Sequence, residues 1–374
     1  MTDETLVMEI LQELLKINTV NPPGNERAAA VYLQQLFLSH NIACEVQELG
    51  EHRANFIAEW GEGKKTLEFN GHLDVVPYGN GWHYAPLEAT EENGKIYGRG
   101  ACDMKGGAAA MCAAVLMLAK EGKKLNGKLR LVFVADEEHV NLGIRAFQAN
   151  HSPADYAVIG EPTNLRVAVA HRGVARFFVD LHGEERHAAL PQKSESAIVL
   201  AAQAVLALER MNRTLQAQTH EVLPSPSITV TMLHGYEKDN VVPETVRLLT
   251  DYRLFPDTTE EQAKNEIEMA LQSAGIQNYT LEKRHFMSGG ALPVANAFAQ
   301  KCSLVTNKVL KHKDTPCRFD ASCEQCFLLS AGVETVICGP GSLAQAHSTD
   351  EFVEKQQLLD AVACYKALAQ EILK

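Results

Sequence analysis

Adjacent glutamates, Glu137 and Glu138, close the apolar run 129–135, whose composition is that of a strand buried in a parallel sheet. Carboxylates at such a strand end stand where open α/β sheets place their active sites. Three other segments have the same character: 71–77 with His72 and Asp74, 101–107 with Asp103, and 339–347 ending in His347. Each follows an apolar stretch or a glycine turn and delivers a histidine or a carboxylate. Ligands of these two types converging on one sheet edge are what a hydrolytic zinc centre requires.

Each residue also has a plainer reading. His72 and Asp74 are two apart and share a face of extended chain, so the aspartate can orient a metal-bound imidazole. The alternative is a loop histidine beside a capping aspartate. Asp103 lies between Gly98-Arg99-Gly100 and Gly106-Gly107, ahead of an alanine-rich helix, where it could serve as an N-cap. A dinucleotide loop is disfavoured there, because Asp103 occupies the third glycine position and would repel a pyrophosphate. Neighbouring carboxylates at 137 and 138 repel one another unless a cation is near. With one present, one glutamate would ligate and the other act as general base. Glu161, in Gly160-Glu161-Pro162-Thr163, is another carboxylate at a strand end. Cys323-Glu324-Gln325-Cys326 has ligand-like spacing, but no second pair or nearby histidine completes a structural zinc site, so its cysteines read as core.

Positioning these groups requires a large α/β framework. The chain has 374 residues, long enough for two domains, with 46% hydrophobic and 22% charged residues. Its formal charge of −12 excludes the basic surface that nucleic acid demands. The longest apolar stretch, 108–119, is about half of the roughly 20 residues a membrane span needs. No secretory pattern opens the chain, and nine scattered cysteines suit free thiols in a reducing cytoplasm.

Periodicity predicts helices over 6–15, 26–39 and 106–120 and strands over 42–46, 55–59, 67–70, 129–135 and 157–159. From 174 the order becomes strand 174–181, helix 195–211, strands 227–233 and 246–254, helix 259–274 and strand 279–283. That is the βαββαβ order of a ferredoxin-like unit. Alternation then resumes with a strand at 333–338 and a helix at 355–373. We therefore expect an α/β catalytic domain with a mixed, mostly parallel sheet, built from 1–173 and 287–374 and interrupted by a ferredoxin-like domain at 174–286.

The segments HLDVVP, YGRGACDMKGG, ADEE, GEPT, DNVVPE and GPGSLAQAH make the chain resemble the acetylornithine deacetylase and succinyl-diaminopimelate desuccinylase family of two-metal amidohydrolases and peptidases. Its ending is more similar to the deacetylase. The resemblance implies two zinc ions, with cobalt or manganese able to substitute, bridged by Asp103. His72 and Glu161 would hold one ion, Glu138 and His347 the other. Glu137 would be the base that activates a water lying between the ions, and Asp74 would orient His72. His187 would polarise the substrate carbonyl in the partner subunit's site, while Asn240 and Arg253 would contact substrate. The inserted domain would make a homodimer. The expected reaction is hydrolysis of an N-acyl amino acid, with a desuccinylase or a dipeptidase or carboxypeptidase of the same family as the alternative. Glu184-Glu185-Arg186 before His187 is bulkier than that family's usual small residues, and Arg318-Phe319-Asp320 fits its later substrate loop loosely.

Overall fold

A computed structural model describes residues 3–191, 195–235 and 238–374. The chain divides into two compact units, Met1–Val169 with Leu292–Lys374, and Ala170–Ala291.

The first unit is built on a mixed sheet. Its four central strands, Asn126–Val134, Glu62–His72, Tyr156–Pro162 and Glu334–Gly339, run parallel in that spatial order. Antiparallel strands flank them, Ala43–Glu48 and Ala54–Trp60 on one side and Ala168–His171 on the other. The register brings the carboxyl ends of the central strands level: His72 pairs with Val134, Asn70 with Ile159, and Ile337 with Ile159. Residues 129–134 are buried, as two-sided coverage of a parallel strand requires.

Helix Lys105–Lys120 carries the alanine-rich segment and is buried from Lys105 through Leu118, packed against helix Lys355–Ile372 and helix Asp3–Lys16. Two glycines set how close its start lies to the sheet. A Cβ on Gly107 would fall 2.3 Å from the Gly160 carbonyl oxygen, and one on Gly339 would fall 2.0 Å from that same atom. Without side chains there, the helix start sits on the strand end that carries Glu161. The fully buried Lys105 donates through Nζ to the carbonyls of Leu14 and Ile17 at 2.9 and 3.0 Å. It thus satisfies orphan carbonyls at the end of the first helix, while burial brings its pKa down to about 7.

Periodicity did not announce helices Leu142–Asn150, Ala297–Leu310 and Gln325–Ser330, nor the small sheet of Thr90–Glu92, Lys95–Tyr97 and Phe352–Glu354. Those strands are three residues long, too short for alternation to show.

The second unit is a four-stranded antiparallel sheet in the order Ser227–His234, Thr245–Leu254, Gly173–His182, Tyr279–Met287. Helices Ala197–Leu215 and Glu260–Ser273 cover one face and share a core with it through Leu200, Ala204, Leu208, Ile267 and Leu271. The strand order 4-1-3-2 with two crossover helices is the ferredoxin-like arrangement. Thr259 begins the second helix with a capping box to Gln262. Among the described residues, no helix is long and apolar enough to cross a membrane.

Candidate metal centre

The parallel strands of the first unit deliver the site. His72 is the last residue of its strand, Glu161 lies near the end of the next, and Glu137 and Glu138 follow Val134 through a turn at Asp136. Asp136 has a φ of 67°, a left-handed conformation that aspartate tolerates better than most residues. Asp103 precedes the buried helix, and His347 lies beyond the strand Glu334–Gly339.

These side chains meet around Asp103. Its Oδ1 lies 3.2 Å from His72 Nε2, and its Oδ2 lies 3.2 Å from His347 Nε2. Glu161 Oε1 stands 3.5 Å from His72 Nε2, and Glu138 Oε1 stands 3.0 Å from His347 Nε2. One carboxylate therefore faces two sets of ligands, one through each oxygen. Ligand atoms at 2.0–2.1 Å from a tetrahedral ion stand about 3.3 Å apart, which is the spacing found here. His72, Asp103 and Glu138 form one group able to hold a metal ion, and Glu137, Glu161 and Glu324 form another. The adjacent glutamates thus part company. Glu138 turns to His347 and Asp103, Glu137 to Glu161 and Glu324.

Electrostatics point the same way. Five carboxylates face two imidazoles in a largely buried space. Burial pushes Glu137 well above the ordinary range, and burial together with the charge of Asp103 raises Glu161 to about 8. Burial alone would lower His72, but its hydrogen bonds to Asp103 and Glu161 carry it well above its ordinary value. Hydrogen bonds to Asp103 and Glu138 push His347 up to about 10. Protons held this tightly mark places where a cation is wanted, and divalent ions remove both the repulsion and the burial cost. The donor set of His and carboxylate fits zinc and its neighbours among divalent metals.

A model of peptidase family M20/M25/M40 matches residues 69–371. The chain belongs to that family. It is similar to a probable succinyl-diaminopimelate desuccinylase of Staphylococcus aureus, at 26% identity over 98% of this chain and 97% of that one. It is 30% identical to an acetylornithine deacetylase of Pasteurella multocida, over 81% of this chain and 79% of the other. The solved structure of aminopeptidase PepT from Bacillus cereus has the same fold, with a TM-score of 0.82 and 18% identity over 99% of both chains.

As a member of peptidase family M20/M25/M40, the protein is a hydrolase of the metal-dependent amidohydrolase type. Its groups around the centre are held in ways the motifs alone did not disclose. Asp74 was expected to orient His72 through its carboxylate, but that carboxylate approaches His72 Nδ1 no nearer than 3.7 Å. The Asp74 backbone carbonyl takes the place, 2.9 Å from Nδ1. The carboxylate instead accepts the backbone N–H groups of Glu137 and Glu138, both at 3.1 Å, and the Asn21 amide at 2.8 Å. Two peptide donors at the next strand end draw it away from the ring.

Arg53 extends that network, donating to Asn21 Oδ1 at 2.7 Å and to Asp136 Oδ1 at 2.6 Å. Glu351, fully buried, fixes the Asp103 loop by accepting the N–H groups of Gly100, Cys102 and Asp103 through Oε1 at 2.9–3.1 Å, while Arg99 pairs with its Oε2. Sequence reasoning did not assign Asn21, Arg53, Glu351 or Glu324 to the site. Asn21 and Arg53 lie far from it in the chain. Glu351 follows shortly after His347 in the chain, and that nearness was the one available signal. Cys323 and Cys326 are buried free thiols, and the residue between them that faces the centre is Glu324.

His187, Asn240 and Arg253 belong to the second unit. There His187 Nδ1 accepts the Ala189 N–H at 3.1 Å, so the ring proton resides on Nε2, where it can be donated. Asn240 lies beside it, with Nδ2 3.4 Å from that Nε2. Arg253 is already partly paired within its own unit. Its Nε and one Nη donate to Asp251 at 2.6 and 3.4 Å, so the fork suited to a substrate carboxylate already holds a carboxylate of this chain.

Proposed function

We propose that the protein cleaves the amide bond of an N-acyl amino acid, as an acetylornithine deacetylase does. The observation that carries the reading is the Asp103 carboxylate with one oxygen toward His72 and Glu161 and the other toward His347 and Glu138. Two zinc ions held by these residues would polarise the scissile carbonyl and acidify a water near neutral pH.

The chain's own groups do the rest. Glu137 is absent from the contacts that join Asp103, His72, Glu161, His347 and Glu138, and in this reading it is the base. It takes the water's proton as the oxygen adds to the carbonyl carbon and returns it to the amide nitrogen as the C–N bond breaks. Asp74 holds the peptide between Glu137 and Glu138, which keeps base and ligand apart. His187, with its proton on Nε2, donates to the developing oxyanion. Asn240 orients it, and Arg253 receives the substrate carboxylate in exchange for part of its pairing with Asp251.

The second unit supplies a homodimer contact in this reading. Ile198, Val199 and Leu206 are half or more exposed on helix Ala197–Leu215, as are Met232 and Leu233 on the sheet's edge strand Ser227–His234. An apolar helix face beside an exposed strand edge supports pairing with a second copy. Nine free thiols support a cytoplasmic setting.

Initial rates with N-acetyl, N-succinyl and dipeptide substrates, each assayed with zinc, cobalt and manganese, test the proposal. N-acetyl amino acids are expected to give the highest kcat/KM. Preference for N-succinyl substrates would make the protein a desuccinylase, and preference for unblocked dipeptides a peptidase.

A further inference from the structure

Glu324 has no part in the mechanism above, yet it is fully buried and neither carboxylate oxygen accepts a hydrogen bond from another described residue. An unpaired buried carboxylate is costly, so its place implies a partner that arrives. Its ligand atom lies within 4.8 Å of one from Glu137 and one from Glu161, so the side chain is aimed into the catalytic space. It precedes helix Gln325–Ser330, between two buried cysteines.

We propose that Glu324 receives the amine released by cleavage. The inference rests on the amide-hydrolase reading. Cleavage breaks the C–N bond, and the acyl carbon keeps the water oxygen as a carboxylate. The nitrogen gains the proton carried by Glu137 and a second one on release, and departs as an ammonium. That nitrogen must come within hydrogen-bond distance of Glu137. Two oxygens that accept from one tetrahedral nitrogen, each at about 2.9 Å, stand about 4.7 Å apart. Glu324 and Glu137 are close enough to do so. Glu137 then serves the nitrogen as proton donor, while Glu324 accepts one of its N–H groups throughout and offsets the positive charge that develops. A metal ion is the other cation that could pair with Glu324, and it makes a different prediction.

The test uses the metal-loaded enzyme and Glu324→Gln, with Glu324→Asp as a second variant should the first fold poorly. The substrates are an N-acetyl amino acid and the O-acetyl ester of the matching 2-hydroxy acid, whose leaving group carries no N–H. Glu324→Gln is expected to lose about 10–100-fold in kcat on the amide, the worth of one charge-assisted hydrogen bond. It should lose little on the ester, keep its two ions, and show weaker inhibition by the free amino acid product. Equal losses on amide and ester, unchanged product inhibition or loss of an ion would each overturn the proposal. A wild-type enzyme that cleaves no N-acyl amino acid would instead count against the parent reading.

Discussion

Glu137 and Glu138 are chemically identical neighbours, and what separates their tasks is where each side chain turns. Glu138 meets His347 at 3.0 Å, whereas Glu137 lies with Glu161 and Glu324. Glu137→Gln should therefore keep its metal and lose about 10²–10⁴-fold in turnover, the usual contribution of a general base. Glu138→Gln should lose metal first, and metal analysis beside kcat for the two variants separates the outcomes. Outside the centre, Glu26 is buried with Oε2 unpaired, and burial raises its pKa from 4.5 to about 7. Its native state holds a proton more firmly than the unfolded chain does. The resulting stability is complete below about pH 4.5 and is lost as pH rises through 7. Denaturant midpoints of the metal-free protein at pH 5 and 7.5 should consequently differ less in Glu26→Gln than in wild type. The ligand types were legible because histidine and carboxylate at strand ends are rare without a purpose. Glu324 was not legible, since the cysteines beside it drew the only spacing argument available.

Loops rather than strands set the precision of the site, and two buried carboxylates hold those loops. Asp74 fixes the turn carrying Glu137 and Glu138, and Glu351 fixes the one carrying Asp103. Glu351→Ala would leave three peptide N–H groups without their acceptor and Arg99 buried without its partner. Breaking a buried pair in this way costs about 3–5 kcal/mol. The variant should melt at lower temperature and bind metal more weakly, and scanning calorimetry with metal titration checks both. A melting temperature unchanged by the substitution would show that the loop holds itself. Element positions were readable wherever apolar periodicity was long. The helix read at 106–120 is Lys105–Lys120, and the strand read at 227–233 is Ser227–His234. The three-residue strands and the turns at the site had no period to read. Their form comes from distant partners such as Glu351 and Arg53, which no local pattern reveals.

At the scale of the molecule, the metal-centre residues lie in the first unit and His187 in the second, and we propose that His187 acts from a partner subunit. Glu137→Gln and His187→Ala homodimers should each be nearly inactive, since losing an oxyanion donor costs about 10²–10³-fold. Mixed dimers would regain one complete site, because the His187→Ala subunit keeps Glu137 and receives an intact His187. Activity should return when the two proteins exchange subunits, and its absence in mixed dimers verified by mass would place His187 in its own chain's site. The proposed mechanism depends on two ions sharing Asp103. The most direct measurement is the number of divalent ions retained per chain after gel filtration, by wild type and by folded Asp103→Ala. Two are expected in the wild type, and neither held tightly in the variant, if Asp103 serves both. Two ions retained by Asp103→Ala, or a fully active wild type holding none, would contradict the mechanism.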